Sequence, residues 1–199
     1  GLMTDWGVHE LDIALFAMWA KAPKSILASG GKLAYPDDAS ETPDTLQTVY
    51  EFDNYNLLWE HATGIDGGPY GRTEGIAFIG NNGTLIVNRG GWEVLPEGER
   101  VEGEWKNKID RVELTKPEGN ALDKHAKNFV TAIRNNDKSA LACGVETGSV
   151  AAITAHMGNI AYKTGKKIYW EATSGSFKDS EADALVSARY HNGWELPKV

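Results

Sequence analysis

Cysteine is almost missing. Cys143 stands alone among 199 residues, which excludes an intrachain disulfide framework and any cysteine-built zinc site. A lone thiol favours a reducing, cytoplasmic setting; an export signal ahead of Gly1 is left open. Positive charge is in deficit as well, with 20 Lys and Arg against 28 Asp and Glu and a net charge of −8. No basic block or stripe occurs, so nucleic acid and anionic membranes are excluded as partners. No apolar run approaches the roughly 20 residues that a membrane-spanning helix needs. The first twenty residues carry acids and a histidine where a signal peptide would be basic and then apolar. Catalytic signatures are also absent: there is no G-x-S-x-G, no P-loop and no H-x-x-x-H pair among His9, His61, His125, His156 and His191.

What remains is an ordinary globular composition, 41% hydrophobic and 24% charged. The spacing predicts a helix over residues 4–20, where Val8, Leu11, Leu15, Met18 and Trp19 recur at three and four, with Thr4 or Asp5 as cap and Pro23 closing it. Strands follow. KSILASGGKLAY ends at Gly30-Gly31, and TLQTVYEF and NLLWEHAT form a hairpin across Asp53-Asn54, with Leu46, Thr48 and Tyr50 on one face and Val49 on the other. TEGIAFIG and TLIVN form a second hairpin, for which Asn82-Gly83 signals a type I′ turn. GGWEVLPEG adds a strand, and residues 97–119 are too polar to assign. The period then turns helical in LDKHAKNFVTAIRNN and in VETGSVAAITAHMGNIAYKTG, which Gly165 caps. A short strand, KIYWEA, precedes a last helix over residues 179–191 capped by Asp179 or Ser180, and an extended tail, NGWELP. Hairpin-joined strands followed by helices predict an α+β fold: a large, mostly antiparallel sheet covered on one face by helices, in a single domain over residues 1–199.

The glycine-rich stretches GIDGGPYG and GNNGT read as turns. Neither places G-x-G-x-x-G between a strand and a helix, where a helix N-terminus could meet a pyrophosphate. A metal held by Asp5, His9 and Asp12 would need ligands that are not evident, so none is expected. The stretch DWGVH is different. Asp5 and His9 stand four apart on the first helix and can face one cleft. A carboxylate beside an imidazole can raise its pKa or fix its tautomer, as a group that takes a proton from a hydroxyl requires. The same residues also suit a plain helix cap and a core histidine.

DWGVHELD, YEFDNYNLLWEH, FIGNNGTLIVNRGGWEVLPEG, HAKNFVTAIR and HMGNIAYKTGKKIYWEA, in this order, with the closing EAD and RYHNGWELP, make the chain resemble the C-terminal domain of the glucose–fructose oxidoreductase, inositol dehydrogenase and MocA family. The resemblance implies a substrate-binding and oligomerisation domain, with NAD or NADP bound by an N-terminal Rossmann domain that this chain does not contain. It implies His9 as proton acceptor or donor, with Asp5 orienting it or binding substrate. It further implies a sugar or polyol substrate and a homo-oligomer formed through the open sheet face. Tyr70 and Arg72, beside the glycine-rich loop, are candidate substrate contacts. The Glu-Lys-Pro motif of the family's nucleotide domain is missing, since Lys116-Pro117 follows Thr115; the chain alone is therefore expected to be inactive. An NAD-dependent glycosidase of the same fold and a non-catalytic sugar-binding or dimerisation module are the alternatives.

Overall fold

The computed structural model describes residues 1–188, 190–195 and 197. Arg189 and Leu196, within the closing RYHNGWELP segment, lie outside the described residues. The backbone gathers into two units, one of residues 1–64 and 149–199 and the other of residues 65–148.

The first unit begins with a 3-10 turn, Leu2–Thr4, that runs into helix α1, Trp6–Met18. Strands β1 (Ser25–Gly31), β2 (Thr45–Glu51) and β3 (Asn56–Ala62) follow. After the second unit, helix α3 (Val145–Thr164, within this unit from Ser149) leads to β10 (Ile168–Glu171), β11 (Ser176–Phe177) and α4 (Ser180–Asp183). The sheet order is β11-β10-β1-β2-β3, and every pairing is antiparallel. Alternation decides the faces: Leu46, Thr48 and Tyr50 of β2 are buried, while Leu27, Val49 and Leu58 line up across β1, β2 and β3 on the opposite face. On the buried face, Ile26, Leu46, Tyr50 and Ile168 pack with Leu11 and Leu15 of α1 and with Ala155, Met157, Ile160 and Ala161 of α3. The helices thus cover one face of this sheet, as the chain order predicts.

At Gly158 helix α3 packs tightly against the sheet. A Cβ there would press on Tyr50 Oη and come within 2.7 Å of Met3 Cε and 3.3 Å of Thr48 Cγ2. Glycine at this point lets Tyr50, fully buried, fit beneath the helix.

The second unit holds β4 (Ile76–Ile79), β5 (Gly83–Asn88), β6 (Gly91–Pro96) and β9 (Val112–Thr115) in one antiparallel sheet of that order. The strands β7 (Gly98–Val101) and β8 (Glu104–Asn107) form a separate hairpin. Helix α2, Ala121–Asn135, is capped by the Asn120 side chain, which accepts from Leu122 N at 2.9 Å. Its predicted apolar stripe is present, yet Leu122, Phe129, Val130 and Ile133 are all exposed.

The fold is α+β with antiparallel sheets, and among the described residues the strands divide into sheets of five, four and two. Three local expectations change. Helix α1 stops at Met18, before Pro23, because Trp19 turns left-handed at φ 52°; Trp19, expected on the packing stripe, is therefore 90% exposed. The β4–β5 hairpin turns about Asn81-Asn82, with Gly80 N donating to Gly83 O, and none of these residues has positive φ. Type I′ signs occur instead at Glu102 and Gly103, both of positive φ, within the stretch that resisted assignment. The last helix is a single turn. Asp179 caps it, accepting from Glu181 N and Ala182 N at 3.0 Å, while Asp183 turns back to accept from Phe177 N. Leu185 and Val186 beyond it are exposed, so no burial extends the turn.

Candidate active site at the start of helix α1

Asp5 occupies the junction between the 3-10 turn and α1. Its backbone lies at φ −103°, ψ −90°, outside helical values, and its side chain makes no capping hydrogen bond. His9 lies one turn further along, and both side chains are exposed. Among the described ion pairs, none joins Asp5 to His9. Asp12, three residues after His9, is half-buried; burial raises its carboxyl above the ordinary value and the His9 charge acts against that rise.

The helix start is held from below. Met3 is 1% exposed and receives the Tyr50 hydroxyl at its sulfur, at 3.7 Å. Gly7, between Asp5 and His9, is what lets α1 approach β3. A Cβ there would lie 3.3 Å from Met3 Sδ and 3.4 Å from Trp59 Cζ2. Trp59 is itself fixed, since its indole N–H donates to His61 Nδ1 at 3.0 Å. An indole can only donate, so Nδ1 accepts and Nε2 carries the proton, which it gives to Pro43 O at 3.3 Å. Burial pushes the His61 imidazole below its ordinary pKa, and the Pro43 carbonyl and Asp44 oppose it. The Trp59–His61 pair lies against the helix start, and spacing alone did not single it out. Its signal was the Trp-x-His alternation, which puts both side chains on one face of β3.

Beside Pro43, Asp44 organises the acidic loop. Its carboxylate accepts from the backbone N–H groups of Leu33 (3.0 Å), Ala34 (3.1 Å) and Tyr35 (2.8 Å), and from the Thr45 hydroxyl (2.8 Å). Burial pushes this carboxyl up, but the donors prevail and hold it at about 2.

Tyr70 and Arg72 belong to the second unit. Tyr70 sits in the 3-10 turn Pro69–Gly71 at φ 58° and is half-exposed. Arg72 forms an ion pair with Glu93 of β6, and the two side chains are 20% and 15% exposed. The guanidinium is thus engaged in tying the loop to the sheet. Among the described residues, no group of three His, Cys, Asp or Glu side chains is placed to hold a metal. The glycine-rich loops connect strand to strand through turns, and no helix N-terminus follows either one. These residues do not fit a dinucleotide.

No protein-family model and no curated protein matches the sequence. Solved structures do match the fold. A protein named as an oxidoreductase, yvaA of Bacillus subtilis, superposes with a TM-score of 0.61 at 14% identity over 86% of this chain and 53% of its own. An NAD-binding protein from Listeria innocua gives 0.54 at 20% identity, over 85% and 51%. An aldose-aldose oxidoreductase from Caulobacter crescentus gives 0.56 at 13% identity, over 82% and 45%. The chain therefore spans about half the length of these structures and has the fold of one part of such oxidoreductases. At the level of fold, this agrees with the resemblance carried by the sequence motifs. Among the described residues, no helix is long and apolar enough to cross a membrane.

Proposed function

We propose that the chain is the substrate-facing domain of an NAD- or NADP-dependent oxidoreductase acting on a hydroxyl or carbonyl of a sugar or polyol. One observation carries this reading: α1 exposes Asp5 and His9 at its start, on a helix end seated against β3 through Gly7, in a fold found in oxidoreductases about twice as long. The nicotinamide group would supply hydride transfer and would be held by sequence other than this chain. His9 takes the proton of the reacting hydroxyl, or returns it to a carbonyl oxygen, and Asp5 binds substrate or orients the imidazole. Tyr70 is a candidate substrate contact. Arg72 serves that role only if it leaves Glu93. Residues 1–199 act together as one domain for substrate binding and oligomerisation. A second copy would cover the row of Leu27, Val49 and Leu58, of which Leu27 and Leu58 are exposed, on the open face of the five-stranded sheet.

The test is His9→Ala in the longer protein that carries the nucleotide-binding part. The expected loss in kcat is about 10²–10⁴-fold, the usual worth of a placed general base. Unchanged turnover would overturn the assignment. Cleavage of a glycoside without accumulation of NADH would move the protein to the glycosidase alternative.

A further inference from the structure

We propose that Asn82 is a site of spontaneous main-chain rearrangement, in which the backbone nitrogen of Gly83 attacks the Asn82 side-chain amide. The role given to His9 is not involved. A bond forms between Gly83 N and Asn82 Cγ, the bond from Cγ to Nδ2 breaks, and the Gly83 N–H proton leaves with Nδ2 as ammonia. The product is a succinimide. Water then opens one of its two carbonyls, giving aspartate or isoaspartate, so water is the only other reactant.

The amide under attack is free. Asn82 is exposed at the tip of the β4–β5 turn, and among the described residues its side chain makes no hydrogen bond. By contrast, Asn88 and Asn128 have both ends of their amides bonded to backbone groups. The attacking nitrogen is free as well. Successive residues of a strand point their N–H groups to opposite sides. Glu97 N donates to Asn82 O at 2.9 Å, so Gly83 turns its own N–H away from β6 and toward Gly80. Gly80 N donates to Gly83 O at 3.0 Å, but the described bonds include no return from Gly83 N to Gly80 O. A cation stands beside the turn, since Lys108 Nζ donates to Asn81 O at 3.0 Å. Attack removes the Gly83 proton and builds negative charge on the amide oxygen, which a nearby ammonium stabilises.

Packing commits the chain to this pair. A Cβ on Gly83 would lie 2.7 Å from Ile109 Cδ1 and 2.8 Å from Leu95 O. No side chain can therefore shield the nitrogen at this position. In the isoaspartate product the main chain runs through Cβ and Cγ, and the former Asn82 carbonyl becomes a carboxylate. Glu97 N then loses its carbonyl acceptor. The new charge arises one residue from the carbonyl that Lys108 holds.

The test is to incubate the folded chain in mildly alkaline buffer, digest it and follow the Asn82 peptide by mass spectrometry. Deamidated forms should accumulate with time, and part of them should accept a methyl group from an isoaspartyl methyltransferase. Asn82→Ser, which removes the reactive amide, should abolish both at this peptide. The second Asn-Gly pair of the chain, Asn192-Gly193, is an internal reference. Lys108→Met should slow the loss at Asn82 at least about twofold and leave the loss at Asn192 unchanged. A folded chain that keeps Asn82 intact over an incubation in which the urea-unfolded chain loses it overturns the proposal. A Lys108→Met variant that slows both pairs equally, or neither, overturns the part given to the lysine.

Discussion

Gly158→Ala and Gly148→Ala make the same change in the same helix and should act in opposite directions. Helix propensity alone favours alanine over glycine by about 0.8–1.0 kcal/mol at an interior position. At Gly148 a Cβ meets nothing within 4 Å. Alanine there should gain much of that amount, up to about 1 kcal/mol. At Gly158 the new carbon would meet three neighbours. Met3 Cε, at 2.7 Å, is the end of a flexible side chain and can swing aside. Tyr50 Oη cannot, because its ring is rigid and fully buried under the helix. Forcing an extra methyl into a packed core costs about 1–3 kcal/mol, occasionally more. Against a gain of about 1 kcal/mol, the cost of a clash with a rigid ring should prevail and give a net loss of about 1–2 kcal/mol. Urea unfolding would measure it, with midpoints compared at unchanged m. Tyr50→Phe removes the clashing oxygen, so the double variant should lose less than the two single losses added together. If Gly158→Ala is as stabilising as Gly148→Ala, the close approach of α3 to β2 is refuted.

Three further outcomes are expected. The His61 imidazole is held below its ordinary value of 6.5, so between that depressed value and 6.5 the unfolded chain binds more protons than the folded one. Stability should therefore fall as pH drops below about 6.5, and His61→Gln should flatten that slope in urea titrations at stepped pH; an unaltered slope would remove His61 as its source. Asp44→Asn should speed amide exchange at Leu33, Ala34 and Tyr35, which would lose a shared carboxylate acceptor, while exchange at buried Tyr50 should stay slow; equal protection in both proteins would contradict the loop geometry. Trp19→Gly should stabilise the chain by a few tenths to about 1 kcal/mol by relieving a left-handed backbone at an exposed side chain; a loss of stability would mean that Trp19 is packed.

Much of the local structure was legible because it rests on short-range chemistry. The alternation of Leu46, Thr48 and Tyr50, the helical spacing of Leu11 and Leu15, the Asp179 cap and the Gly165 end all follow from residue period and backbone preference. Asp5 and His9 were visible as a pair four apart. Their exposure followed from neither residue, because it depends on which side of α1 the sheet occupies. Similar turn chemistry misled at Asn82-Gly83 and was silent at Glu102-Gly103, since strand register overrides turn preference. The apolar stripe of α2 marked a helix but said nothing of its surroundings.

By itself the sequence determined an acidic α+β chain with antiparallel hairpins, two long helices and a helix start carrying a carboxylate and an imidazole. These are properties of residues a few positions apart. Tertiary structure alone decided that α1 and α3 pack tightly at Gly7 and Gly158, that Trp59, His61 and Pro43 form one partly buried hydrogen-bonded chain, and that Arg72 is bound to Glu93. Each of these joins residues that become neighbours only once the chain has folded, and packing rather than local preference selects them.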